Sequence, residues 1–164
     1  MITRNLTVTL SMTVMITLIS ILMMSPVLAA KPHFSISPII TKNSNQSITA
    51  NFNAAALGKK VANVTLSSHA TADIQCVNPG GHSVTSKKLQ FEQMQVSTGE
   101  VKPKNGKIKG ALTLGPPNFP SALDVCPNNN WSTNVLSLTY ENPVLHIKQK
   151  NSDILNFTFG NVTQ

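Results

Sequence analysis

The sequence predicts an all-β fold: a single-domain antiparallel β-sandwich, Ig-like, with about eight strands and one disulfide. Three observations carry this. First, residues 63–76 alternate without a break, with Val64, Leu66, Ser68, Ala70, Ala72, Ile74 and Cys76 apolar or small and Asn63, Thr65, Ser67, His69, Thr71, Asp73 and Gln75 polar. Successive strand side chains point to opposite faces, so this run specifies a long strand with one buried and one wet face. A helix would scatter the polar residues around its circumference. Second, weaker copies of the alternation recur along the chain. Third, clusters of Gly, Pro and Asn punctuate them. A small β-barrel is the alternative closure of the same pattern.

In chain order, the first element is an export segment over residues 1–30. Arg4 precedes a stretch, residues 5–30, with no charged side chain, and Lys31 follows it. Leu6 to Met24 is rich in Leu, Ile, Met, Val and Thr, and Val27-Leu28-Ala29 places small residues at a cleavage site after Ala29 or Ala30. Basic, apolar and small-residue parts in that order describe a signal peptide. The other reading is an uncleaved membrane anchor, since the stretch is long enough to span a bilayer; Pro26 and the Ala29-Ala30 pair favour cleavage. The β-sandwich domain is then residues 31–164.

Within it, Phe34, Ile36 and Ile40 alternate with Ser35 and Ser37, and Pro38 demands an edge position or a bulge. Ile48, Ala50 and Phe52 alternate with Thr49, Asn51 and Asn53. Ala54-Ala55-Ala56-Leu57 has the composition of a single helical turn. After the long strand, Asn78-Pro79-Gly80-Gly81 makes a turn. Leu89 and Phe91 share one parity while Met94 and Val96 share the other, which predicts a bulge near Glu92 and Gln93. Asn105-Gly106 between Lys104 and Lys107 is a type I′ hairpin signal. Ile108, Gly110, Leu112 and Leu114 face one way. Gly115-Pro116-Pro117-Asn118-Phe119-Pro120 cannot continue a strand or helix, and Cys126 to Asn130 is a second irregular stretch. Leu136, Leu138 and Tyr140 alternate with Val135, Ser137 and Thr139. Leu145 and Ile147 form the next pair, and Leu155, Phe157 and Phe159 close the set.

Cys76 and Cys126 are the two cysteines, and an even pair in an exported domain reads as a disulfide. Closing a loop of that length is worth ~4 kcal/mol in the chain-entropy treatment. The segments Cys76-Val77-Asn78-Pro79-Gly80-Gly81, Asn105-Gly106-Lys107-Ile108-Lys109-Gly110-Ala111-Leu112-Thr113-Leu114 and Cys126-Pro127 resemble a group of small exported microbial proteins of unassigned function, across about residues 63–147. The resemblance implies a common fold and paired cysteines, and no activity.

The residues that could carry chemistry are few. The histidines are His33, His69, His82 and His146. A blue-copper centre needs His, Cys and an axial ligand such as Met close together. Cys126 has no nearby His or Met, and His82 is separated from Cys76 by the Pro-Gly-Gly turn, with Met94 further on. His69 and Asp73 lie on one strand face ~13 Å apart, too far for a catalytic hydrogen bond. Asp73, Asp124 and Asp153 are not spaced as calcium ligands. No catalytic residue, metal or cofactor is therefore expected, and a secreted enzyme with a site built from scattered loop residues is the lesser alternative.

A binding or structural role is the better expectation. Trp131, in the irregular Pro127–Ser132 stretch and near Phe119 in sequence, is either a stacking platform for sugar rings or, as the simpler reading, a cover for the disulfide. Lys102, Lys104, Lys107 and Lys109 cluster around the Asn105-Gly106 turn. They attract an anionic cell-wall polymer, polysaccharide or surface protein, or, in the reading the sequence alone favours, guard exposed edges against strand-to-strand aggregation. Nucleic acid is not an expected partner, and the membrane is one only with the anchor uncleaved. Within residues 31–164 five glycosylation sequons begin at Asn45, Asn63, Asn130, Asn156 and Asn161; composition alone accounts for most of that number. The expectation is a secreted or cell-surface β-sandwich with a non-catalytic binding or structural role.

Overall fold

The structure is a computed structural model that describes residues 30–150 and 152–164. The export segment expected over residues 1–30 lies outside the described residues, Ala30 excepted. The strands are β1 (His33–Lys42), β2 (Ile48–Ala55), β3 (Ala62–Val77), β4 (Ser83–Val101), β5 (Ile108–Leu114), β6 (Ser132–Gln149), β7 (Ser152–Thr158) and β8 (Val162–Thr163), with one short helix, α1 (Ala122–Val125). They form two antiparallel sheets, β1-β2-β5 and β4-β3-β6-β7, with β8 paired to the other half of β6. The sheets stay separate, so the architecture is the expected sandwich and the barrel alternative is set aside.

The unbroken alternation of residues 63–76 becomes the middle of β3, hydrogen-bonded to β4 on one side and β6 on the other. Its Val64, Leu66, Ala70, Ala72 and Ile74 enter one core with Ile48, Ala50 and Phe52 of β2, Leu112 and Leu114 of β5, and Leu138, Tyr140, Leu145 and Ile147 of β6. Each such aliphatic or aromatic side chain contributes ~1.5–3 kcal/mol by leaving water. The polar face of β3 is drier than the pattern alone implies. Ser67 and Thr71 on it are buried, and His69 between them is exposed.

Bulges decide where the sequence reading succeeds. Ser68 pairs with Met94 and Ala70 with Phe91, so the extra residue falls at Glu92–Gln93 as predicted. Leu89, Phe91, Met94 and Val96 thereby all pack on the core. Pro38 sits on an edge strand and within a register shift, between the pairs Ile36–Asn53 and Ile39–Asn51. A second shift, between Phe34 and Ile36, turns Ile36 outward to 66% exposure, which corrects its expected place beside Phe34 and Ile40. Leu136 is corrected for the same reason. Asp73 pairs with Ser137 and Ile74 with Val135, so Val135 packs inward and Leu136 is exposed. A further bulge at Asn142–Pro143, with Asn142 at φ 40°, switches the inward parity from Leu138 and Tyr140 to Leu145 and Ile147. What read as two strands is therefore one. Ala54 and Ala55 continue β2 instead of starting a helical turn, because both are needed to cover the core edge.

The Asn105-Gly106 turn has both residues at positive φ, 49° and 71°, with the Lys104 and Lys107 backbones exchanging hydrogen bonds of 3.0 and 2.9 Å. Beyond that one pair the chain diverges, β4 staying in the larger sheet and β5 joining β2 in the smaller. The predicted hairpin is thus the crossing between sheets. At the opposite end the Cys76–Cys126 disulfide, with Cα atoms 5.7 Å apart, ties the end of β3 to the residue after α1.

Candidate functional site

Four segments meet at the end of the sandwich where β2 stops and β3 starts. The Leu57 N–H donates to the Gly106 carbonyl at 2.9 Å, joining the β2–β3 connection to the β4–β5 turn. The Gln149 carboxamide donates to the carbonyls of Leu57 and Lys60 at 2.8 and 2.9 Å, joining the end of β6 to the same connection. A Cβ on Gly106 would lie 3.6 Å from the Gly58 nitrogen, which shows how closely the two turns approach. β1 begins here too, His33 pairing with Ala55.

These backbone contacts gather cations from distant parts of the chain. Lys102, Lys104, Lys107 and Lys109 are exposed around one depression of about 350 Å³, with Val101 and Ile108 in its wall. Lys59, Lys60, Lys148 and Lys150 are exposed on the adjoining segments, and Lys31 precedes the first residue of β1. The carboxylates at this end are Glu100, opposite Asn63, and Asp153, 3.6 Å from Lys148. Residues 31–164 hold twelve lysines and six carboxylates, the thirteenth cation being Arg4. Nine of those lysines and two of those carboxylates are at this end, so it carries all of the domain's net charge of +6 and slightly more. The rest, with Lys42, Lys87 and Lys88 against Asp73, Glu92, Asp124 and Glu141, is close to neutral. Every cation in residues 31–164 is a lysine: a mobile point charge suited to diffuse anionic surfaces rather than to bidentate recognition of one group.

Sequence reasoning found the four lysines at the turn and missed Lys59, Lys60, Lys148 and Lys150. Each pair looks unremarkable in sequence, and only the strand topology brings them beside the turn.

The aromatic candidates go elsewhere. Trp131 is half-buried against Cys76, Val125 and Cys126, the position of a cover over the disulfide. Phe119 meets Phe91 edge-to-face at 5.5 Å and packs on the main core. No aromatic pairing joins Trp131 to Phe119 among the described residues. Phe91 also helps to line an open groove of about 510 Å³ between β4 and the start of the β5–β6 connection, floored by Met94, Leu114 and Pro117.

His69 faces Glu141 across the β3–β6 ladder and shares with Thr71, Gln90, Glu92 and Glu141 a depression of about 160 Å³. Thr71 donates its hydroxyl to the Glu141 carboxylate. Asp73 instead accepts from the Ser137 hydroxyl at 2.9 Å. Asp124 accepts from both the Ser121 hydroxyl (2.7 Å) and its N–H (3.2 Å), closing the first turn of α1. The Nδ1 of His33 lies 3.0 Å from the Lys31 carbonyl, His82 closes the Asn78–His82 turn, and His146 stands beside Asn156 and Asp153. Both cysteines are in the disulfide, so neither offers a thiolate. Among the described residues no three His, Cys, Asp or Glu side chains are placed to hold a metal. Burial pushes the Tyr140 phenol up to about 12, and its hydroxyl lies 2.8 Å from the Gln46 carbonyl and 3.0 Å from that of Gly115, a structural role.

No protein-family model matches the chain, and no curated protein matches it. Among solved structures, a protein provisionally assigned as a beta-galactosidase from Bacteroides fragilis is similar with a TM-score of 0.22 and 14% identity, over 76% of this chain and 15% of that one. A beta-glucuronidase from glycoside hydrolase family 2 is similar with a TM-score of 0.22 and 15% identity, over 82% of this chain and 11% of its own. This chain spans a small part of either enzyme, and neither likeness bears on what it does. Among the described residues no helix is long and apolar enough to cross a membrane.

Proposed function

We propose that the protein is an exported, non-catalytic β-sandwich that attaches through its lysine-bearing end to an anionic polymer at the cell surface. The observation that carries this reading is the convergence of lysines from separate connections on one end of an otherwise near-neutral domain. Edge protection accounts for lysine along exposed strands; it does not account for Lys59, Lys60 and Lys150, which lie in connections. The export segment expected over residues 1–30 and the disulfide support a place outside the cytoplasm.

A concentrated field of one sign speeds encounter with an oppositely charged surface, and salt screens it. Each lysine near an anionic surface contributes on the order of 1 kcal/mol. Binding of the protein to polygalacturonate and to purified cell envelopes, with neutral dextran as control, tests the reading across a salt series. Replacing Lys102, Lys104, Lys107 and Lys109 by Gln is expected to weaken binding by at least about 100-fold and to flatten its salt dependence. Binding that ignores both salt and these substitutions overturns the proposal.

A second reading, carbohydrate stacking on Trp131, rests on its partial exposure. Acrylamide quenching of its fluorescence, reduced by added sugar, would support it; a blue-shifted, unquenched spectrum indifferent to sugar would remove it.

A further inference from the structure

The five sequons differ sharply once folded. N-linked transfer to a folded domain requires that both the Asn carboxamide and the hydroxyl two residues on be reachable. At Asn45 the hydroxyl is not: Ser47 is 1% exposed, donates to Asn45 Oδ1 at 2.6 Å and accepts from Asn43 at 2.8 Å. Asn63 is half-buried on the central strand, its Oδ1 accepting the hydroxyls of Ser97 and Thr65. Asn156 is exposed but belongs to β7, with Oδ1 3.2 Å from His146 Nδ1. At Asn161 the Oδ1 accepts the Asn142 N–H at 2.9 Å, and the Thr163 hydroxyl is paired with that of Thr139 at 2.9 Å.

Asn130 combines features that no other of these sequons combines: an exposed asparagine outside any strand and, among the described residues, a carboxamide without a partner. Asn130 and Ser132 are both exposed, and among the described residues neither side chain is held in a hydrogen bond. The Asn130 N–H donates to Asn128 Oδ1 at 3.1 Å, fixing the backbone of an irregular turn while leaving the carboxamide unoccupied. Trp131 between them is anchored against the disulfide. Asn130 and Trp131 thus end a pinned loop and Ser132 begins β6 opposite Val77, at the end of the sandwich away from the lysines.

We propose that Asn130 is an N-glycosylation site used in the folded protein, in preference to the other four sequons. The donor is a lipid-phosphate-linked oligosaccharide. A bond forms between Asn130 Nδ2 and the anomeric carbon, and the anomeric C–O bond to phosphate breaks. The lipid phosphate leaves with that electron pair, and one Nδ2 proton passes to a base. The glycan covers the disulfide end and leaves the lysine-bearing end bare.

The test is intact-mass and glycopeptide analysis of the protein isolated from the organism that makes it. A glycan is expected on the Asn130 peptide, with the Asn45 and Asn63 peptides unmodified. Ser132→Ala, which keeps Asn130 in place, and Asn130→Gln should each remove one glycan mass with an unchanged melting curve, whereas Asn63→Gln should remove none. A bare Asn130 peptide, an unchanged mass in Ser132→Ala, or equal occupancy at Asn45, Asn63, Asn156 or Asn161 overturns the proposal.

Discussion

The two ends of the sandwich solve the same problem, reversing the chain, in opposite ways. At the lysine-bearing end the connections are short, and they hold each other through backbone and Gln149 hydrogen bonds. At the other end residues 115–131 connect β5 to β6, a span long enough to need external fixation. That fixation comes from the disulfide, the Asp124-closed turn of α1, Phe119 on Phe91, and the Tyr140 hydroxyl against the Gly115 carbonyl. One end is therefore covalently pinned and the domain away from the lysines is near neutral in net charge, while the other end is hydrogen-bonded and strongly basic. Stability and charge are segregated, so mutations at the two ends should separate in what they damage.

The largest effect should follow loss of the disulfide. Replacing both Cys76 and Cys126 by Ala is expected to cost about 2–5 kcal/mol and lower the Tm by about 10 °C or more. Hydrogen exchange should accelerate first in residues 115–131 while the lysine-bearing end stays protected. Uniform loosening of both ends would show that the ends are not independent.

Tyr140 gives the next effect, through pH. Its phenol titrates near 12 in the folded chain, because burial disfavours the phenolate, against about 10 when unfolded. Below pH 10 the group is protonated in both states and stability is unaffected by it. Between about pH 10 and 12 the unfolded chain ionises first and stability falls, by ~1.4 kcal/mol for each pKa unit of separation. Denaturant melts across that window should show the decline, and Tyr140→Phe should abolish it. That variant also leaves the Gln46 and Gly115 carbonyls without the hydroxyl, at a cost of about 1–2 kcal/mol at neutral pH. An equally steep alkaline decline in Tyr140→Phe would assign it to another group.

Gly106 probes the lysine-bearing end on the same scale. At φ 71° an alanine is strained, so Gly106→Ala should cost about 1 kcal/mol, read as a small shift in urea midpoint with an unchanged slope. A loss as large as that of the disulfide would mean that the Asn105-Gly106 crossing holds the two sheets together.

How much of this was legible in the sequence follows from which signals are local. The β3 alternation, the Glu92–Gln93 bulge, the Asn105-Gly106 turn and the cysteine pair are each written within a few residues, and each was readable. Ile36 and Leu136 were misplaced because an extra residue in one strand reverses every later side chain, and nothing at those positions announces it. The merging of β6 into one strand depends on Asn142 adopting positive φ, which its sequence permits but does not demand. The basic end was half visible. The run Lys102 to Lys109 stands out, while Lys59-Lys60 and Lys148-Lys150 join it only after β2, β3, β4 and β6 have been ordered in space.

The smallest expected effect bears most directly on function. Lys102, Lys104, Lys107 and Lys109 are exposed and make no ion pair among the described residues, so converting each to Gln should change stability by no more than about 0.5 kcal/mol. Relief of mutual repulsion can even make the quadruple variant slightly more stable, most visibly at low salt. Urea melts at low and moderate ionic strength measure this, and light scattering on the same samples separates the two explanations for the lysines. If they serve to guard strand edges, the variant folds with normal stability but aggregates as its concentration rises. If they serve attachment, it remains dispersed and loses only its salt-dependent binding. Charge that stabilises nothing, and whose removal leaves the protein folded and monodisperse, has its use outside the fold.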